Sequence, residues 1–158
     1  MSIIKKIIKR FVPQVLLDKR RSYLHDKLRV KFHRNCKELL ELTDDILAKA
    51  NIPFWLNYGT LLGAYRDHNF IPHDYDLDVA LFWEDNLKVK KIMLESGLTL
   101  KHEVRFGDWE NPENIEYRFE YKGAYIDFNF YVVENNVATT YNPLFIEGVE
   151  YTLEKNCL

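Results

Sequence analysis

No glycine occurs before residue 59, and all six glycines of this 158-residue chain fall from that point on. Residues 18–50 contain neither glycine nor proline. Chain reversals depend on these residue types, so their distribution divides the sequence into a helical front and a turn-rich body. In the front, Leu24, Leu28, Phe32, Cys36, Leu39, Leu40, Ile46 and Leu47 recur at helical spacing. They predict a long helix, in one or two pieces, stopped by Asn51 and Pro53. Ahead of it, Ile3, Ile4, Ile7, Ile8 and Phe11 alternate with Lys5, Lys6, Lys9 and Arg10. This pattern predicts a short basic amphipathic helix, ended or kinked at Pro13.

The body reads as α/β. Strands are expected over 54–58, 76–82, 99–105, 116–121 and 124–133, with helices over 61–66 and 84–96. Lys122-Gly123, Asn135-Asn136 and Glu147-Gly148 mark hairpin turns. The expected fold class is therefore α+β: a mixed sheet packed by helices, preceded by a helical segment. The organisation expected is a basic helical segment over 1–32 and one globular domain over 33–158.

Charge follows the same division. Residues 1–37 hold twelve Lys/Arg and two Asp/Glu; residues 38–158 hold ten and twenty-two. The basic end can meet an anionic surface or lie against acidic protein surface. Few aromatics interleave with its cations and no recognition motif is present, which argues against nucleic acid. Lys9 and Arg10 interrupt the apolar start, so it does not read as a signal peptide, and no run suits a bilayer span. Two distant cysteines without a Cys-x-x-Cys pattern fit a reducing compartment. The expected location is cytoplasmic, with residues 1–15 able to contact the inner membrane surface.

The chemistry centres on "HDYDLDVALF", residues 73–82. Side chains two apart on a strand share a face. Asp76 and Asp78 would thus point one way, and Leu77, Val79 and Leu81 the other, into a core. Two acids on one face call for a counter-charge. A divalent cation supplies it; a solvated edge strand is the plainer alternative. Gly59-Thr60 stands where a strand passes into a helix; Thr60 can cap that helix, and the free backbone N–H groups there favour phosphate. Asp127, flanked by Ile126 and Phe128, is costly in so apolar a strand unless paired or metal-bound. Beside Asp76 and Asp78 it would complete a three-carboxylate site; otherwise it pairs with Arg118 or Lys122 on the neighbouring strand.

Gly-Thr after a strand, Asp-x-Asp on the next, and a third Asp on a later strand resemble the polymerase-beta-like nucleotidyltransferase fold. "GTLLGAYRDHNFIPHDYDLDVAL" resembles the LicD/fukutin family more closely. Gly59, Thr60, Leu61, Leu62, Gly63, Ala64, Arg66, Phe70, Ile71, Pro72, Asp74, Asp76 and Asp78 match its signature in order. His73 replaces a frequent Trp, and Tyr75 a frequent Asp.

The resemblance implies transfer of a substituted phosphate, phosphocholine or an alditol phosphate, from a CDP-linked donor to a hydroxyl of a glycan or lipid-linked glycan. It implies a setting in lipopolysaccharide or other cell-surface glycan modification. Mg²⁺, with Mn²⁺ as an alternative, would be held by Asp76 and Asp78. Asp127 would bind metal or take the acceptor's proton. Gly59 and Thr60 would line the donor phosphates, Arg66 would neutralise them, His73 would sit at the cleft mouth and Asp74 would brace the loop. Many members continue beyond the last hairpin, so part of the acceptor side is expected to be missing here or to come from another chain. A nucleotidyltransferase moving NMP, and a non-catalytic relative, are the alternatives.

Overall fold

The computed structural model describes residues 14–107, 112–144 and 152–157. The amphipathic segment expected over 3–11 and the turn expected at Glu147-Gly148 lie outside them. Gln14–Lys49 forms one unbroken helix, α1. Residues 22–31 are largely exposed, while Phe32, Cys36, Leu39, Thr43 and Leu47 are buried at three- and four-residue spacing. The buried Thr43 hydroxyl donates to the Leu39 carbonyl at 2.8 Å, so it enters the core satisfied. The expected stop is a left-handed cap. Asn51 takes φ 53°, and the N–H groups of Ile52 and Asn51 reach the carbonyls of Leu47 and Ala48.

Three short elements follow: strand β1, Phe54–Leu56, helix α2, Tyr58–Asp67, and strand β2, Asp76–Phe82. A 3₁₀ turn over Trp83–Asp85 leads into α3, Asn86–Glu95. Strands β3, Thr99–Gly107, β4, Pro112–Tyr121, β5, Ala124–Glu134, β6, Val137–Leu144, and β7, Thr152–Cys157, complete the chain. The strand order is β1-β2-β5-β4-β3, with β6 on the far end of β5 and β7 on β6. Among the described strands the central β2–β5 pair is parallel and the other pairs are antiparallel. This is the mixed sheet with helices that the α+β expectation requires.

Register follows from turn chemistry. Lys122 and Gly123 both take positive φ, 50° and 82°, as the two-residue hairpin turn demands. The turn pairs Tyr121 with Ala124 and, three steps on, Arg118 with Asp127. Asn135 and Asn136, at 51° and 63°, make the second expected hairpin, between β5 and β6.

One face of the sheet carries Leu77, Val79, Leu81, Ile126, Phe128, Phe130, Tyr117 and Phe119, buried with Phe32, Cys36 and Leu39 of α1 and Val89 and Met93 of α3. Each such aliphatic or aromatic side chain contributes about 1.5–3 kcal/mol on burial. The helices thus cover one side of the sheet and leave the acidic side to other duties. The long helix also clasps the β4–β5 turn: Asn35 donates to the Lys122 carbonyl at 2.9 Å and Glu38 pairs with Lys122.

Candidate functional site

Asp76 and Asp78 emerge from the face of β2 opposite the apolar core. Parallel pairing sets Asp78 directly beside Asp127, and Asp76 beside Tyr125. In this register all three aspartates share one face, with Glu116 and Arg118 of β4 next to them. The sequence expectation that distant acids meet on one side of the sheet therefore holds.

The counter-charge among the described residues is Arg118. Its Nε donates to Asp127 Oδ1 at 2.7 Å and its Nη2 to Asp127 Oδ2 at 2.5 Å. The same Nη2 donates to Asp76 Oδ2 at 2.7 Å, and the guanidinium carbon lies 5.7 Å from the Tyr125 ring centre. Pairing of Asp127 with Arg118, the alternative weighed above for that acid, is thus realised, and Arg118 bridges all three strands. No group of three His, Cys, Asp or Glu among the described residues is already set around a common ion position.

One guanidinium does not balance the cluster. Burial, together with the charge of Asp127, pushes the Asp76 carboxyl up to about 7, against the pull of Arg118. Burial, then the charges of Asp76, Asp127, Asp74 and Glu116, push Asp78 to about 8. Glu116 rises to about 7, chiefly by burial and the charge of Asp127. Its Asp127 hydrogen bonds hold Arg118 firmly protonated. The donor set is all oxygen, crowded and short of positive charge, which fits a hard divalent cation.

Helix α2 positions the acids. It begins three residues earlier than the sequence suggested, with Asn57 as its N-cap, so Gly59 and Thr60 lie in its first turn and Thr60 is not the cap. Strand β1 ends opposite Val79, and the start of α2 takes over from it at Asp78. Asn57 N–H donates to the Asp78 carbonyl at 3.0 Å, and the buried Thr60 hydroxyl accepts from Asp78 N–H at 2.8 Å. Gly59 permits close approach: a Cβ there would lie 2.6 Å from Asp74 Oδ2 and 3.7 Å from Asp78 Oδ2. Tyr58, just before it, holds φ at 38°, an uncommon conformation for an aromatic residue. Gly63 brings the following loop onto α2; a Cβ there would meet the Asn69 carbonyl at 2.6 Å.

The loop carrying Asp74 is braced by α1. His33 Nε2 lies 3.1 Å from the Pro72 carbonyl, Phe32 meets Phe70 edge-on, and His25 meets Tyr75. His73 is exposed on this loop. Arg66 stands in the last turn of α2, exposed and paired with Asp67 at 2.6 Å, not with the aspartates. Sequence reasoning did not assign Arg118 or Glu116 to the site. The signal was present: in "NIEYRFEY", residues 114–121, polar and apolar side chains alternate.

Residues 51–152 match the family described as LicD/FKTN/FKRP, nucleotidyltransferase domain. The chain belongs to that family. Its acidic face, its Gly59-Thr60 helix start and all of β2 and β5 lie inside the matched region. Among its relatives, human "Ribitol-5-phosphate transferase FKTN" is 37% identical over 100 residues, 61% of this chain and 21% of that protein. An uncharacterised protein of Rickettsia typhi is 38% identical over 68 residues, 41% of this chain and 22% of its own length. Mouse "Ribitol 5-phosphate transferase FKRP" is 38% identical over 52 residues, 33% of this chain and 10% of that protein. The chain spans between 21% and 25% of the length of the human and macaque FKTN proteins.

Proposed function

We propose that this LicD-family domain catalyses metal-dependent transfer of a substituted phosphate from a CDP-linked donor to a glycan hydroxyl. The observation that carries the reading is the shared face of Asp76, Asp78 and Asp127 beside the first turn of α2, inside the family match. The names of the FKTN and FKRP relatives favour an alditol phosphate, ribitol phosphate, over phosphocholine as the transferred group.

Asp76 and Asp78 would hold Mg²⁺ or Mn²⁺, which when bound neutralises charge on the diphosphate. The remaining work falls to the chain. The first turn of α2 aims backbone N–H groups along the helix axis toward phosphate oxygens, and Gly59 lets the donor approach. Thr60 fixes the backbone that carries Asp78. Asp127 is the base that takes the acceptor hydroxyl's proton once Arg118 no longer grips it. Arg118, within the acid cluster, is better placed to meet phosphate than Arg66 at the far end of α2. The Asp74 backbone N–H closes the loop on the Ile71 carbonyl at 3.0 Å, and His73 stands at its mouth.

The acceptor belongs to cell-surface glycan, and the basic front would hold the protein near a lipid-linked form of it. Among the described residues no helix is long and apolar enough to cross a membrane, consistent with contact from one side. The nucleotidyltransferase reading uses the same acids and shares the family's description. Product mass separates the two. With CDP-ribitol, CDP-glycerol or CDP-choline and Mg²⁺, an acceptor gaining the alditol phosphate or phosphocholine, with CMP released, supports transfer. An acceptor gaining CMP from CTP supports nucleotidyl transfer instead.

A further inference from the structure

We propose that Arg118 is a displaceable occupant of the acidic site: a resident counter-ion that holds Asp76 and Asp127 until a divalent cation on Asp76 and Asp78 drives it off. The inference rests on the metal-dependent reading of that site.

Three observations converge on it. First, the guanidinium spans two strands' worth of carboxylate, with both Asp127 oxygens and one Asp76 oxygen within 2.7 Å of its nitrogens. Asp76 is also one of the two carboxylates that would hold a cation, so arginine and metal compete for it, and an arginine displaced from Asp76 gives up its hold on Asp127 as well. Second, the pairing is incomplete. The ion pairs of Arg118 run to Asp76 and Asp127 and leave out Asp78 and Glu116, which lie part-buried on the same face. A +2 ion answers this surplus better than a single guanidinium. Third, the arginine has somewhere to go. Its side chain is 31% exposed, against 13% and 8% for Asp76 and Asp127, and the Tyr125 ring lies alongside it on the same face. It can pivot off the acids onto that ring without leaving the cleft.

The consequence is an ordered site. Without metal, Arg118 staples β2, β4 and β5 and masks Asp127. With metal, Asp127 is unmasked to act as base and the guanidinium is released within reach of an incoming phosphate. Arginine suits this exchange because its fork matches carboxylate and phosphate equally well.

Mn²⁺ affinity, measured by calorimetry and by the electron paramagnetic resonance signal of free Mn²⁺, tests this in the whole chain. Arg118→Gln removes the competing charge, so Mn²⁺ should bind roughly tenfold tighter or more. The same variant should melt several degrees lower in chelator and regain that loss in Mn²⁺. Arg118→Lys, too short to hold both acids, should fall between the two and serves if the Gln variant does not fold. Unchanged or weaker Mn²⁺ binding in folded variants would show that Arg118 is a fixed support and overturn the exchange. Absence of Mn²⁺ binding by the wild type and both variants would instead bring down the metal reading beneath it.

Discussion

The Thr60 hydroxyl accepts a 2.8 Å hydrogen bond from the backbone N–H of Asp78, eighteen residues away. This contact ties the first turn of α2 to the strand that carries the acids. It also explains why threonine, and not only a small residue, suits position 60: β1 has ended, and the Asp78 amide would otherwise lack a partner on that side. Thr60→Val keeps the shape and strands the amide, at about 1–3 kcal/mol. Thr60→Ser should retain most of the stability. Thermal melts of the two variants check this, and an equal loss in both would show that the hydroxyl is idle.

Gly59→Ala tests the close approach of α2 to the acids. The new methyl would press on the Asp74 carboxylate at 2.6 Å, which must turn away. The fold should survive, since the conflict is with the end of one side chain. Transfer should drop by up to roughly a hundredfold through displacement of the site. A circular dichroism spectrum paired with a turnover assay measures both halves of the expectation.

The carboxylates give the metal-free protein a distinctive pH response. Asp76, Asp78 and Glu116 are raised to about 7, 8 and 7 in the folded state, whereas in the unfolded chain they titrate near 4. The folded protein therefore binds more protons across this interval. Their contribution to stability is fully present below about pH 4 and is lost as pH rises toward 8. In chelator, the melting temperature should fall between pH 5 and pH 8.5. Added Mg²⁺ should flatten that decline, because the ion compensates the ionised form. A metal-free melting temperature that holds level or climbs over this range would contradict the electrostatics described.

Neutralising the acids should separate stability from function. Asp78→Asn removes a charge that burial and three neighbouring aspartates disfavour. At pH 8, without metal, this variant should melt higher than the wild type while losing transfer. Asp127→Asn should instead melt lower, because it weakens the paired bonds from Arg118. Opposite shifts from two aspartates on one face are the signature sought in parallel melts.

Much of this arrangement was legible beforehand. The Asp-x-Asp alternation set the face of β2, and Lys122-Gly123 fixed the hairpin that brings Arg118 opposite Asp127. That register, combined with the alternation in β4, would have placed Arg118 and Glu116 in the site. Arg66 drew attention instead because the family motif contains it. The start of α2 was misplaced for a physical reason. Leu61 and Leu62 look like the inner face of a helix, yet they are 49% and 47% exposed, while Thr60 and Gly63 are buried. The helix packs through its small residues to come close to β2, an exception that hydrophobic periodicity does not register. The parallel β2–β5 pairing spans almost fifty residues and no local pattern specifies it.

The most direct measurement is CMP release from CDP-ribitol, CDP-glycerol and CDP-choline by the wild type and by the Asp76→Asn/Asp78→Asn double variant, with a glycan acceptor, in Mg²⁺ and in chelator. CMP is expected from one of these donors with the wild type in Mg²⁺, with none in chelator and none from a double variant that remains folded. Equal CMP release by the folded double variant, or release that chelator leaves untouched, would rule out metal-dependent transfer through Asp76 and Asp78.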